Sequence, residues 1–309
     1  IQYEALRQIE GFENAKIYRP GYAIEYDYFD PTQLNYSLES KVIPNLYFAG
    51  QVNGTTGYEE AACQGLMAGI NAALAVRNEK PLILSRSQAY IGVLIDDLIN
   101  KGVQDPYRMF TSRAEYRILL RQDNADFRLT PIGHNLGLIP PERFQNMQHK
   151  YCIQSKIVNH LQSTGVAPAD VNGYLESVGS PAITQKVKFD ILLRRPEVRL
   201  HDLLSHIPQL QDAFADFSAE NIHITDAETE IKYSSYIEKE NEVAQRMQNL
   251  ENVKIPSDTD YANLSFLSKE AREKLTRIAP LNLGQASRIS GVSPADIAAL
   301  IIFLNHPGN

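Results

Sequence analysis

The chain has no tryptophan and two cysteines, Cys63 and Cys152, in 309 residues. Two thiols make neither a disulfide framework nor a four-cysteine zinc site. With no signal-peptide pattern, a reducing cytoplasm is the expected compartment. Long apolar runs are missing too. The longest small-apolar stretch, 61–76, is interrupted by Gln64 and Asn71 and is too short to span a bilayer, so no membrane role is expected. Positive charge is the scarcer sign, with 30 Lys and Arg against 37 Asp and Glu and a net charge of -7. This argues against a protein coated by nucleic acid over its whole surface, although a local basic patch is still permitted. The seven histidines, His306 included, are scattered, and His201 and His206 miss the spacing of a helical zinc pair. No metal site is expected.

What is present is ordinary for a globular chain: 43% hydrophobic residues, 22% charged, and 16 Tyr with 11 Phe for an aromatic core. The length suits about two domains, or three small ones. The first residue is Ile1, and residues 1–9 already read as helix up to a Gly11 stop. The chain is therefore expected to begin inside a domain, as a piece of a longer protein.

Residues 1–84 alternate strand and helix signals. Residues 16–29 suggest two short strands or a hairpin around Pro20-Gly21, and 46–49 suggests a buried strand. A glycine-rich loop follows, then a helix over 58–77, and strand, tight loop, helix is an α/β signature. From 85 onward the pattern is helical. Amphipathic helices are expected over 86–101 and 111–122, with further helices at 143–161 and 171–178 and a short one within 192–207. A long polar helix over 227–250 carries an apolar stripe at Tyr233, Tyr236, Ile237, Val243, Met247 and Leu250. After a linker at 254–261, Ser268 is expected to cap a helix, and 283–289 with 293–304 read as helix, turn, helix. The expected units are 1–84, 85–220 and 221–309.

The strongest chemical motif spans 46–62. A strand ends at Gly50, and Gly50, Gly54 and Gly57 let the backbone turn sharply and approach a ligand. The helix that follows points its first amides and its partial positive charge back at the strand end. That geometry suits a phosphate or an electron-rich ring edge such as the pyrimidine side of a flavin. Gln51, Asn53, Gly54, Thr55, Thr56 and Gly57 are the candidate cofactor contacts. The plain alternative is a tight strand-to-helix connection without a ligand. Ala61, Gly65, Ala68, Gly69 and Ala72 form a small-residue face expected to press against a sheet or helix.

This stretch, Gly50-Gln51-Val52-Asn53-Gly54-Thr55-Thr56-Gly57-Tyr58-Glu59-Glu60-Ala61-Ala62, resembles the second flavin-contacting motif of the glucose-inhibited division protein A family, also called MnmG. The resemblance continues in Arg19-Pro20-Gly21-Tyr22-Ala23-Ile24-Glu25-Tyr26-Asp27 and Ser85-Arg86-Ser87-Gln88-Ala89-Tyr90. It is dense over 106–117 and 123–130, returns at 284–292, and is weakest at 140–190. It implies an enzyme that uses FAD and NADH, with methylene-tetrahydrofolate as carbon donor. With a tRNA-modification GTPase partner, such an enzyme installs an aminomethyl or carboxymethylaminomethyl group at C5 of the tRNA wobble uridine, and a homodimer is expected.

The implied fold is a glutathione-reductase-like FAD domain, an inserted NAD domain and a helical C-terminal region. For this chain that means an α/β remnant of the FAD domain followed by a mainly α-helical region, predominantly helical overall. By motif, Gln51 falls on a family FAD-contact position. The family's G-x-G-x-x-G loop, NAD domain and catalytic cysteines have no counterpart in these residues, so no catalytic residue is assigned. Cys63 reads as a core filler. The chain is expected to be the C-terminal half, to bind FAD weakly or not at all alone, and to be inactive alone.

A second constellation is basic. Arg108, Arg113, Arg117, Arg121 and Arg128 stand against Glu115, Asp123 and Asp126, a local charge of +2. On a helix over 111–122, Arg113, Arg117 and Arg121 would share one face, with Tyr107, Phe110 and Tyr116 placed to stack on bases. One reading is a tRNA-binding surface; the equal alternative is a set of internal salt bridges. In the terminal helix-turn-helix only Arg288 is a fixed positive charge, which argues against DNA binding. The resemblance implies that this region docks the GTPase partner. Two other classes stay open: a non-catalytic tRNA- and protein-binding module, and a flavin oxidoreductase acting on small molecules.

Overall fold

A computed structural model describes residues 1–22 and 25–305. Residues 23 and 24, inside the expected strand pair at 16–29, lie outside the described residues, as do 306–309 with His306. The helices are α1 (Gln2–Arg7), α2 (Tyr58–Val76), α3 (Tyr90–Lys101), α4 (Ala125–Asn135), α5 (Pro141–Ser163), α6 (Pro168–Ser177) and α7 (Phe189–Leu193). They continue with α8 (Leu200–His206), α9 (Pro208–Asp216), α10 (Asn221–Asn252), α11 (Lys269–Ile278), α12 (Leu283–Arg288) and α13 (Pro294–Asn305). A two-stranded antiparallel ribbon, β1 (Gly165–Val166) with β2 (Val187–Lys188), is the sheet among the described residues. The chain is predominantly helical, as expected.

The expected strand at 46–49 is not formed. Leu46 to Ala49 is extended, but among the described residues it makes a single isolated antiparallel bridge, Tyr47 with Glu39. The described part of 16–29 is likewise without strand. A strand is held by the ladder beside it, and these segments find no run of partner backbone among the described residues.

The helix expected over 111–122 is also absent: Thr111–Arg113 is one 3-10 turn, and an irregular segment follows. Tertiary contacts take the backbone groups a helix would use. The amides of Ile118 and Leu119 both donate to the Glu240 carboxylate of α10, each at 3.1 Å. Ala114, Tyr116 and Leu120 are buried against Val93 of α3. The short α7 lies mostly outside the expected spans, and two longer helices, α4 and α9, lie wholly outside them. Both follow or contain a proline: α9 opens on Pro208 at its first turn, a good start, while α4 carries Pro131 inside.

Several apolar clusters build the molecule. Leu34, Leu38, Met67, Ala68, Ile95 and Ile99 pack α2 and α3 together with the segment before α2. α3 is buried over Gly92 to Asn100, two adjacent aspartates included. The helical unit closes around Ile157, Leu161, Val171, Leu192, Leu200 and Leu203, and α10 enters it with Ile224, Ala227 and Ile231. α10 then runs on to the terminal bundle, whose core is Leu267, Ala271, Leu275, Leu283, Ala286 and Leu300. The expected apolar stripe of α10 is therefore only partly used. Tyr233, Tyr236 and Val243 are exposed, because this stretch bridges two cores and has no layer on that side.

Ser268 caps α11 as expected, accepting the Ala271 amide at 3.2 Å. No helix among the described residues is long and apolar enough to cross a membrane.

Candidate functional site

The glycine loop is built as a 3-10 turn, Gly50–Asn53, ending at Gly54 in the left-handed region (φ +77°), followed by α2 from its N-cap Gly57. Gly54 needs its missing Cβ twice over. Its φ disfavours any other residue, and a Cβ there would lie 2.4 Å from Cγ2 of Val103. At Gly57 a Cβ would lie 1.5 Å from Oε2 of Glu60. The carboxylate of Glu60 thus occupies the space that glycine leaves open.

Four buried polar side chains hold the turn. Gln64 of α2 accepts from the Gly50 amide (3.2 Å) and the Asn53 side chain (2.8 Å), and donates to the Thr55 hydroxyl (3.0 Å). Asn53 also donates to the Phe48 carbonyl at 3.1 Å, and Thr55 to the Gly50 carbonyl at 3.1 Å. Glu60 accepts the Met109 amide at 2.7 Å and an Arg108 contact at 3.3 Å through Oε1. Its Oε2 is buried and has no partner among the described residues. Burial alone would raise the Glu60 pKa, but the Met109 amide and the Arg108 charge outweigh it and hold the carboxyl below its ordinary value.

The loop is also pinned from outside. Tyr107 donates its amide to the Gly54 carbonyl (2.8 Å) and accepts the Thr56 amide (3.4 Å). The six candidate cofactor residues therefore divide. Asn53 and Thr55 are buried and their side chains brace the loop, while Thr55 also lines the cleft beside it. Gly54 and Gly57 serve by having no side chain. Gln51 and Thr56 carry exposed side chains, and both line a cleft of about 210 Å³ with Tyr26, Tyr28, Val103 and Asp105.

α2 has no side-chain cap at Gly57, and the Glu60 carboxylate of its first turn lies against that N-terminus instead. The small-residue face behind the loop behaves otherwise than expected. Gln64, Met67, Ala68 and Asn71 turn inward, whereas Gly65 and Gly69 are exposed with open space where a Cβ would go. Cys63 is half-buried, and burial pushes its thiol up to about 11, which fits a filler and not a nucleophile.

The sequence pattern did not single out Glu60 and Gln64 as the loop's supports. The available signal was their i, i+4 spacing, which puts two long polar side chains on the loop side of a helix of small residues.

The five candidate arginines do not share a helix face. Arg121 closes on Asp123 (3.0 Å) and the Ile118 carbonyl (2.8 Å). Arg128, on α4, donates to Asn124 (2.9 Å), the Arg121 carbonyl (3.1 Å) and the Gln88 carbonyl. Arg113 lies 4.2 Å over the Tyr107 ring and donates to the Arg108 carbonyl. Arg108 is half exposed beside Glu60.

Arg117 is exposed, and no hydrogen bond or ion pair engages it among the described residues. Tyr107 and Tyr116 are buried and cannot stack on bases, which leaves Phe110 exposed. Internal ion pairs thus engage Arg121 and Arg108, while Arg128 is held by carbonyls and Asn124. Arg288 is likewise engaged, by Asp96 and Glu251.

Comparison with known proteins comes out consistently along the chain. Residues 1–80 match the family model described as glucose inhibited division protein A. Residues 141–241 and 243–308 match the tRNA modifying enzyme MnmG/GidA C-terminal helical domain and C-terminal helical bundle. The tRNA uridine 5-carboxymethylaminomethyl modification enzyme MnmG of Cytophaga hutchinsonii is 55% identical over 304 residues, covering 98% of this chain and 49% of that protein. The enzyme of the same name from Flavobacterium psychrophilum is 52% identical at the same coverage. A crystal structure of Aquifex aeolicus GidA superposes with a TM-score of 0.75 at 41% identity, over 98% of this chain and 47% of that one. The chain spans about half the length of the curated relatives it matches.

Proposed function

The chain belongs to the glucose-inhibited division protein A (MnmG) family, and from that premise we propose that it is the part of a flavin-dependent tRNA uridine-modifying enzyme that closes one side of the flavin site and carries RNA and partner contacts. The observation that carries this reading is the loop at 50–57. It is rigidly braced from behind by Gln64 and Glu60, yet it presents the Gln51 amide and the Thr56 hydroxyl to a cleft walled by two tyrosines. These residues fit an electron-rich heterocycle edge. The donors lie on one side and are held by buried groups, and the glycines keep the approach clear. A bound FAD would supply two-electron redox chemistry there.

In that assignment Gln51 and Thr56 hold the ring edge. Asn53, Thr55 and Gln64 keep the turn from relaxing. NADH, methylene-tetrahydrofolate, the wobble-uridine chemistry, a GTPase partner on the terminal bundle and a homodimer belong to the same proposal, supported by the family. So do the three units 1–84, 85–220 and 221–309.

The test is flavin uptake by the full-length protein, read by absorbance. It is expected to purify yellow or to turn yellow when FAD is supplied, and Gln51→Ala is expected to weaken FAD binding about tenfold, the worth of one well-placed hydrogen bond. The 309-residue chain alone is expected to bind FAD weakly or not at all. A full-length protein that stays colourless in excess FAD would refute the reading.

A further inference from the structure

The loop is joined to the terminal bundle by a buried ionic chain that the proposed function does not call on. Arg86, 4% exposed, donates to Glu115 (2.7 Å), Asp96 (3.0 Å) and Asp97 (2.8 Å), so one guanidinium grips both aspartates of α3. Asp97 in turn accepts the Tyr107 hydroxyl at 2.9 Å. The Tyr107 backbone is the strand-like partner of Gly54 and Thr56. At the other end Asp96 is clamped by both prongs of Arg288, Nε at 3.0 Å and Nη2 at 2.6 Å, from 192 residues away. The third guanidinium nitrogen of Arg288 reaches Glu251 of α10 at 2.8 Å. Arg288 ends α12, whose Leu283, Gln285 and Ala286 are buried in the terminal bundle. Every step from the bundle to the glycine loop is therefore a direct hydrogen bond between buried or half-buried groups.

We propose that Arg288 is a positioning residue: by clamping Asp96 it couples the seating of the terminal bundle to the geometry of the glycine loop, through Arg86, Asp97 and Tyr107. The charge count gives the reason. Around α3, Arg86, Arg288 and Lys101 face Asp96, Asp97, Glu115 and Glu251, three positive against four negative. Without Arg288 the excess of negative charge doubles, and Arg86 is drawn toward the Asp96 carboxylate that Arg288 released. Its grip on Asp97 then loosens, and with it the acceptor that holds the Tyr107 hydroxyl. A partner that moved the bundle would act on the loop by the same route. The consequence for cofactor affinity rests on the flavin reading above; the coupling itself does not.

The test is hydrogen exchange on the full-length protein without flavin, with Arg288→Met, Tyr107→Phe and the double variant compared. Arg288→Met is expected to speed exchange of the Thr56 and Tyr107 amides about five- to tenfold. In the Tyr107→Phe background it is expected to add nothing, since the chain is already cut. Arg288→Lys, which keeps the charge but loses the two-pronged clamp, gives a smaller increase and serves if the Met variant does not fold. Faster exchange confined to the bundle around 253–289, with the loop amides unchanged, overturns the proposal, as does simple additivity in the double variant. Flavin titration of the same proteins separates the two claims: loop loosening without any flavin uptake by the parent would sink the flavin reading and leave the coupling standing.

Discussion

Arg117 and Arg121 are four residues apart and meet different fates. Arg121 is spent on Asp123 and on the carbonyl of Ile118. Arg117 is exposed and unengaged among the described residues. On the proposed reading Arg117→Ala lowers tRNA affinity and reduces the slope of log affinity against log salt by about one, the signature of one lost phosphate contact. Arg121→Ala instead destabilises the segment before α4 and leaves the salt slope unchanged. Filter binding across a salt series, beside thermal unfolding, checks both; an unaltered slope in Arg117→Ala removes it from the RNA surface. A guanidinium's type and neighbours in the chain do not say which carboxylate it will find, and Glu115 shows this well. It is two residues from Arg113 and Arg117 but pairs with Arg86, 29 residues away.

At the scale of elements, the start of α13 and the start of α11 share one carboxylate. Asp296 accepts the amides of Ser268 (2.8 Å) and Ser293 (2.9 Å) and the hydroxyls of both. Burial pushes its pKa up, but these hydrogen bonds outweigh burial and hold it below the ordinary value of 3.8. The sign follows: a carboxyl whose folded pKa is depressed stabilises above its unfolded value, and that stabilisation is lost as pH falls through the folded one. The terminal bundle is therefore expected to lose stability on acidification as pH falls from 3.8 through the lower folded value. Asp296→Asn is expected to cost about 1–3 kcal/mol at neutral pH and to flatten that acid limb. Melting curves taken from neutral pH downward test it; an unchanged acid limb in the variant assigns the lability elsewhere. Ser293-Pro294-Ala295-Asp296 announced a helix start in the sequence, and the Ser268 cap was equally legible. That one acid serves both helices was not, because the second N-terminus is 28 residues away.

At the scale of the molecule, the exposed large apolar side chains crowd into the first quarter of the chain. More than half of those on the described surface lie between Ile1 and Ile83, with Tyr18 and Tyr58 almost wholly exposed. An apolar surface so concentrated is unusual for a lone soluble domain. The isolated 309-residue chain is expected to bind a hydrophobic dye such as ANS and to self-associate as concentration rises, measured by fluorescence and sedimentation velocity. A monodisperse chain that leaves the dye dark would contradict it. The unformed strand at 46–49 belongs to the same picture: extended backbone is present, and the neighbouring strands that would register it are not among the described residues.

By itself the sequence determined the helical character, the glycine bend leading into α2, the capped starts of α11 and α13 and the family to which the chain belongs. These depend on neighbours within a few residues, on periodicity, or on long uncommon motifs, all of which are carried locally. Only the tertiary structure decided that 111–122 is not a helix, that Asn53 and Thr55 are buried and brace the loop, and that Arg288 closes on Asp96. Each outcome turns on which distant group reaches a backbone amide or a charge first, and burial sets that contest. Glu240 captures the amides of Ile118 and Leu119 from α10, and two arginines far apart in the chain meet on one aspartate of α3.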